Sequence, residues 1–344
     1  MEQQKIRVLF IGNKTSNNNK SIGGANTYTE ALHFHLSNNE EIEVYFLEIR
    51  KRWYKGGQIL DYITFPFKFL SVFHKFDVIS IHATWDFHIT LGPLLVLISK
   101  LFKKKIIYHF FGGQFHKLYN SFPSLLRKWL DKTILASNFK LMETKRMIRF
   151  FSDLNFKNFV WFPNSRMPQS VNLSLKEYSK KFVFISRVSP TKGINEIINV
   201  AGRLDSSFTI DIYGPLDQSY NRDSFAEANY RGVLKPEDVV ATLRKYDVLL
   251  LPTFHDGEGY PGIFIEAMSI GMPIITTKWN ALDELVEDNF NGKLIKPKSA
   301  DELYDAILSI NQSNFKKYLN NALEKFDEFN IELVVAQLVK LYKS

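Results

Sequence analysis

The sequence predicts an α/β protein made of two doubly wound domains, and three observations carry that expectation. Short runs that are apolar throughout alternate with helix-sized spacers along the chain, the pattern of parallel strands covered on both faces. The series stops and restarts across "FPNSRMPQSVNLS", a Pro-, Asn- and Ser-rich segment from Phe162 to Ser174 that reads as a connection between domains. A chain of 344 residues also fits about two cores on a length prior of ~150 residues per domain.

Taken in order, the first series of strands is "IRVLFIG" (Ile6 to Gly12), "IEVYFLE" (Ile42 to Glu48), "FDVISIHA" (Phe76 to Ala83) and "KIIYHFFGG" (Lys105 to Gly113). The second is "KFVFISRVS" (Lys181 to Ser189), "FTIDIYG" (Phe208 to Gly214), "DVLLLPT" (Asp247 to Thr253), "MPIITT" (Met272 to Thr277) and "GKLIKP" (Gly292 to Pro297). Between the last strands, "IFIEAMSI" reads as a helix stopped by Gly271 and Pro273, with Glu266 in its first turn. The tail "KFDEFNIELVVAQLVKLYK" closes as an amphipathic helix with Ile331, Val334, Val335, Leu338 and Leu341 near helical spacing. The boundary between the domains is expected between Arg166 and Leu175.

Composition narrows the function classes. With 45% hydrophobic and 23% charged residues, wholesale disorder is excluded. The absence of cysteine excludes disulfides, thiolate nucleophiles and Cys-bearing zinc sites. No D-x-D, H-E-x-x-H or Walker sequence supports metal chemistry. The N-terminal "MEQQKIRVLFIGNKTSNNN" lacks a signal h-region, and "LGPLLVLISKLF" breaks at Lys100, well short of the ~20 apolar residues of a membrane span, so a cytoplasmic protein is expected. A net charge of +8 favours anionic partners. Stretches such as "ILDYITFPFKFLSVFHKF" and "LISKLFKKKIIYHF" mix large apolar residues with lysine, which points to peripheral contact with an anionic membrane surface; amphipathic helices packed on their own sheet are the alternative.

Four constellations carry candidate chemistry. In "FHDGEGYPGIFIEAMSIGMPII" the loop after a buried strand holds Glu258, and Glu266 follows among apolar neighbours; Glu266 reads either as a helix-start acid favoured by the helix dipole or, since burying an unpaired carboxylate costs several kcal/mol, as the partner of a ligand hydroxyl. Free N–H groups near Tyr260, Pro261, Gly262 and Ile263 suit a phosphate at the helix start, Pro261 itself having none to give. In "FISRVSPTKGINEIINVA", Arg187 and Lys192 stand at one strand's carboxyl end and together match a diphosphate, although either alone is as readily a solvated loop charge. In "IGNKTSNNNKSIGGANTYTEALHFHL", Gly23 and Gly24 open a helix without the G-x-G-x-x-G dinucleotide fingerprint, which argues against NAD-dependent chemistry. "IIYHFFGGQFHKLY" places His109, Gly112, Gly113 and His116 at a strand's end, with His82 in "SIHATWDFH" a weaker candidate of the same kind; a histidine beside an inner strand is more often a satisfied core residue than a catalyst.

These residues resemble a known family. "GEGYPGIFIEAMSIGMPIITT" is similar to the E-x7-E signature of retaining glycosyltransferases of family GT4, in particular members that assemble polysaccharides, and "SRVSPTKG", "FPN", "IYG", "NGKLIKP", the Gly-Gly loop and the closing helix extend the likeness over nearly the whole chain. The resemblance implies a GT-B architecture, two Rossmann-like domains facing across a cleft: an acceptor-side domain over residues 1–168, a nucleotide-sugar-binding domain over 169–326, and a helix over 327–344 crossing back to the first. It further implies that Glu266 holds the ribose hydroxyls, Arg187 and Lys192 the diphosphate, and Glu258 the donor sugar near the reacting carbon, with Gly23 and Gly24 approaching the phosphates. His109 is the candidate for the family's catalytic-site histidine, although Phe111 occupies the position directly before the glycine pair where relatives place it. Trp279 and Asn280 resemble a "TDW" pattern with Lys278 in place of the acid.

The resulting expectation is a metal-independent retaining glycosyltransferase that needs no cofactor and uses a nucleotide diphosphate sugar and a glycan or lipid-linked acceptor, on the inner face of the membrane. Two rivals stand beside it. One is a sugar-nucleotide epimerase or hydrolase on the same scaffold; the other is a basic nucleic-acid-binding protein, for which no reader motif is present.

Overall fold

A computed structural model describes residues 5–14, 24–49, 56–172, 176–225 and 227–344. The chain divides into two compact units, Met1–Asn164 with Ile331–Ser344, and Ser165–Asn330.

The first unit runs β1 (Ile6–Gly12), α1 (Gly24–Ser37), β2 (Ile42–Glu48), α2 (Gly57–Val72), β3 (Val78–Ala83), α3 (Trp85–Ile89), α4 (Leu91–Leu101), β4 (Lys105–Phe110), α5 (Phe115–Ser121), α6 (Ser124–Lys132), β5 (Phe139–Met142), α7 (Lys145–Asp153) and β6 (Phe159–Trp161). Its strands form one sheet in the order β2-β1-β3-β4-β5-β6, every pair parallel. The strand period explains why β1 is apolar at every inner position. Leu9 and Ile11 enter one core with Phe65, Phe69, Leu95 and Leu130 of α2, α4 and α6, while Val8 and Phe10 enter the opposite core with Leu32 and Leu36 of α1.

The last helix, α13 (Ile331–Lys343), belongs to that second core. Its buried stripe is Ile331, Val334, Val335, Leu338, Val339 and Tyr342; Leu341, expected in the stripe, is only half-buried because Val339 and Tyr342 take the inner positions. The Tyr342 hydroxyl donates to Ser80 Oγ in β3 at 2.9 Å.

The second unit runs β7 (Lys181–Ile185), α8 (Ile194–Ala201), β8 (Thr209–Tyr213), β9 (Asn229–Gly232), α9 (Val239–Leu243), β10 (Val248–Leu251), α10 (Gly262–Ser269), β11 (Ile274–Thr277), β12 (Gly292–Ile295), α11 (Ala300–Leu308) and α12 (Gln312–Phe326). Its sheet is also all parallel, in the order β12-β11-β10-β7-β8-β9. In each sheet the first strand has its successor on one side and a later strand on the other: β1 lies between β2 and β3, and β7 between β8 and β10. Such a reversal opens a crevice at the carboxyl ends of the two diverging strands, where open α/β sheets bind ligands.

Candidate functional site

The second unit's reversal point is where the charged candidates meet. Strand β7 ends at Ile185, Arg187 follows two residues later with its side chain exposed, and the chain then turns through Pro190–Lys192 into α8. Gly193 closes that turn at φ +79°, and a Cβ there would stand 2.3 Å from the Pro252 carbonyl oxygen. Only glycine allows so close an approach in that conformation. The turn is therefore pressed against the end of β10, tied by the Phe254 N–H donating to Thr191 O at 2.8 Å.

That contact carries Lys192 onto Glu258. The Lys192 ammonium donates to Glu258 Oε2, with side chains only 15% and 10% exposed, and the Thr253 hydroxyl donates to the same oxygen at 2.9 Å. A pair this deep costs desolvation of both charges, which its mutual attraction offsets only in good geometry, so it is a poor stabiliser and a conspicuous arrangement to keep at a ligand crevice.

The loop bearing Glu258 is held from one side by two residues after β11. Asn280 Nδ2 lies 3.3, 3.2 and 3.4 Å from the carbonyl oxygens of His255, Asp256 and Glu258, and Trp279 Nε1 donates to His255 O at 3.0 Å. Asn280 sits at φ +49°, in the left-handed region that asparagine tolerates better than other side chains. Further on, Tyr260 is buried and donates to Glu284 Oε2 at 2.6 Å, Pro261 forms the extended N-cap of α10, and Gly262 and Ile263 open its first turn.

Because α10 begins at Gly262, Glu266 stands in its second turn, which corrects the first-turn position expected from the sequence and removes the helix dipole as its stabiliser. Its partner is Arg166, whose Nε donates to Oε1 at 2.8 Å, both side chains being about one-fifth exposed. Arg166 is in turn anchored by its own N–H donating to Phe329 O at 3.0 Å. Arg166 and Thr253 carry no signal in the sequence that points to the site: Arg166 is a hundred positions from Glu266, and a bare arginine in a polar connecting segment gives no local sign of its partner.

The first unit's candidates lie elsewhere in the chemistry. His109 is fully buried on β4, its Nδ1 3.1 Å from Nδ1 of His82, and the His82 Nε2 is 2.9 Å from Ser80 Oγ. Tyr342, Ser80, His82 and His109 thus form one buried polar chain from α13 through β3 to β4. Phe111 and Phe162 pack on the His109 ring at 4.2 and 5.0 Å between centroids. Burial pushes the His82 imidazole down to about 3 and the His109 imidazole well below its ordinary value, the latter also through His82 and His88. Both rings are neutral at pH 7, one Nδ1 donating to the other. Gly24 is the first residue of α1, and Gly23 lies outside the described residues.

Comparisons with known proteins agree with this architecture. Residues 167–329 match the family model described as Glycosyl transferases group 1. The chain is 24% identical to an uncharacterized glycosyltransferase of Methanocaldococcus jannaschii over 94% of this chain and 95% of that protein. It is 26% identical to the amylovoran biosynthesis glycosyltransferase AmsK of Erwinia amylovora over 51% of this chain and 48% of that one. The crystal structure of Anabaena HepE in complex with UDP superposes with a TM-score of 0.71 at 14% identity, covering 97% of this chain and 99% of HepE. With two all-parallel six-stranded sheets, each covered by helices, the chain has the GT-B fold of two Rossmann-like domains, and its second unit is the part that matches the glycosyl transferases group 1 model.

Proposed function

We propose that this protein is a retaining, metal-independent glycosyltransferase that moves a sugar from a nucleotide diphosphate sugar to a glycan or lipid-linked acceptor in surface polysaccharide assembly. The observation that carries the proposal is the Lys192–Glu258 pair, with Arg187 on the same strand end, at the reversal point of the second sheet. Two cations and a hydroxyl-accepting carboxylate within one crevice match a sugar joined to a diphosphate. The UDP held by HepE and the amylovoran assembly named for AmsK support the donor and acceptor classes.

In this reading the diphosphate draws the Lys192 ammonium from Glu258, and the freed carboxylate accepts the donor sugar's hydroxyls. Arg187 forks onto the phosphate oxygens. The N–H groups at Gly262 and Ile263 face the same anion. Glu266 offers Oε2 to the ribose while Arg166 fixes Oε1. Tyr260 and Pro261 set the loop's path. The anomeric carbon–phosphate oxygen bond breaks, the acceptor oxygen bonds to that carbon on the same face, and the acceptor's proton passes to the departing phosphate oxygen. His109 stays neutral and shapes the first unit's strand ends.

The test is binding and transfer with a panel of nucleotide diphosphates and their sugars. UDP or another single nucleotide raises the melting temperature of the native protein; Glu266→Gln weakens that binding by about 1.5–3 kcal/mol, roughly ten- to a hundredfold, and Arg187→Ala does likewise. Transfer persists in EDTA, and the product keeps the donor's anomeric configuration by NMR. No shift with any nucleotide sinks the transferase reading, transfer abolished by EDTA sinks its metal-free part, and inverted product sinks retention.

A further inference from the structure

The outward surface of the helix layer formed by α2, α4 and α6 carries large exposed apolar residues that no other part of the chain covers among the described residues. These three helices cover the same face of the first unit's sheet, since Phe65 and Phe69, Leu95 and Val96, and Leu130 all enter one core. Their opposite sides therefore point away from the sheet together. On α2 that side carries Ile59, Leu60, Ile63, Phe67 and Leu70, five large apolar residues at helical spacing, Phe67 71% exposed and Ile59 67%. On α4 it carries Leu94, Leu97 and Leu101, with Phe102 just beyond, and on α6 it carries Leu125, 80% exposed, and Trp129.

The three faces adjoin at their carboxyl ends. Phe73, following α2, packs edge-on against Phe102 with centroids 5.0 Å apart, Lys104 donates to Phe76 O at 2.6 Å, and Lys100 donates to Lys132 O, the last residue of α6, at 3.3 Å. Cations lie among the apolar groups: these helices and the turns after them hold Lys68, Lys75, Lys100, Lys103 and Lys104, then Arg127, Lys128 and Lys132. Against these stand three carboxylates: Asp61, buried, Asp77, paired with Arg7 at 3.3 Å, and Asp131, which accepts from the Tyr119 hydroxyl.

We propose that this layer is a docking face for an anionic lipid bilayer, lying in the headgroup region with its leucines, isoleucines and aromatic rings inserted and its lysines on the phosphates. A lipid surface fits better than a protein partner because protein interfaces are depleted of lysine at their centre, whereas at a bilayer long basic side chains extend past inserted apolar groups to the headgroups. The face belongs to one layer of one unit, and its docking is independent of sugar transfer.

The test is co-sedimentation of the full chain with phosphatidylcholine vesicles and with vesicles also containing phosphatidylglycerol, at physiological salt and with no nucleotide present. The native protein binds the anionic vesicles and leaves the neutral ones. Ile63→Ser with Phe67→Ser, and separately Lys103→Glu with Lys128→Glu, each weaken binding about tenfold or more while the melting temperature and any nucleotide-induced shift stay at native values. All four positions are exposed, so folding is not at stake. Native protein that ignores anionic vesicles overturns the proposal, as does binding that neither pair of substitutions weakens. A native dimer in solution that I63S/F67S converts to monomer, with no lipid binding, also overturns it and gives the face to a second copy.

Discussion

Lys192 and Glu258 leave adjacent parallel strands, β7 and β10, and meet in a nearly buried ion pair that exists only because Gly193 lets its turn lie against Pro252. Removing one partner leaves the other charge in a site where its side chain is 10–15% exposed. Lys192→Met or Glu258→Gln alone is expected to cost about 3 kcal/mol in urea unfolding, while the double variant stays within about 1 kcal/mol of native. All three variants lose transfer. Single variants that unfold like the native protein would show that the pair is not desolvated in solution.

Asn280 separates backbone conformation from clamping. Asn280→Gly keeps a residue at ease at φ +49° but removes the amide set against three carbonyls of the Glu258 loop. Stability is expected to change by no more than about 1 kcal/mol, with kcat falling about tenfold and nucleotide affinity unchanged, whereas Asn280→Ala adds a backbone penalty of about 1–2 kcal/mol. If Asn280→Gly transfers sugar at the native rate, the clamp has no part in positioning Glu258.

Acid sensitivity follows from the buried histidines. His82 and His88 are pushed by burial down to about 3, and His109 also lies well below its ordinary value. The unfolded chain binds these protons near pH 6.5 and the folded chain does not, so stability is complete above that pH and is lost as pH falls below it, by about 1.4 kcal/mol per unit for each histidine. Urea unfolding at pH 7.5 and again near pH 5, still above the carboxylates' range, reads the effect in the window that belongs to the histidines. A stability equal at both pH values would mean that these rings take up protons in the folded state.

Much of the fold was legible in the sequence because most of its strands are apolar at most inner positions. β1 and β2 fall on the runs "IRVLFIG" and "IEVYFLE" residue for residue. The strands that escaped notice are β5, with Lys140 in the middle of "FKLM", the three-residue β6, and β9, "NYRG", at the sheet's edge, where one side of the ladder needs no apolar neighbour. At the site, the charged residues announced themselves by standing just past strand ends, but their partners did not. Glu266 looked like an unpaired carboxylate because Arg166 is distant in sequence, and Lys192 and Glu258, read as facing a ligand separately, face each other. Asn280 showed only as part of a family-like pattern with Trp279, with nothing to say that its amide would hold the Glu258 loop.

The return of α13 to the first unit has a consequence for how the protein is made. Residues 165–330 form a continuous stretch, whereas the first unit's core lacks Ile331, Val334, Leu338 and Tyr342 until the ribosome has passed them. The half synthesised first is therefore completed last. During translation the sheet face that α13 will cover, with Val8, Val78 and Ile107, stays open to solvent while the second unit is already able to fold, which makes that face the point at which a nascent chain of this protein is most exposed to misassembly.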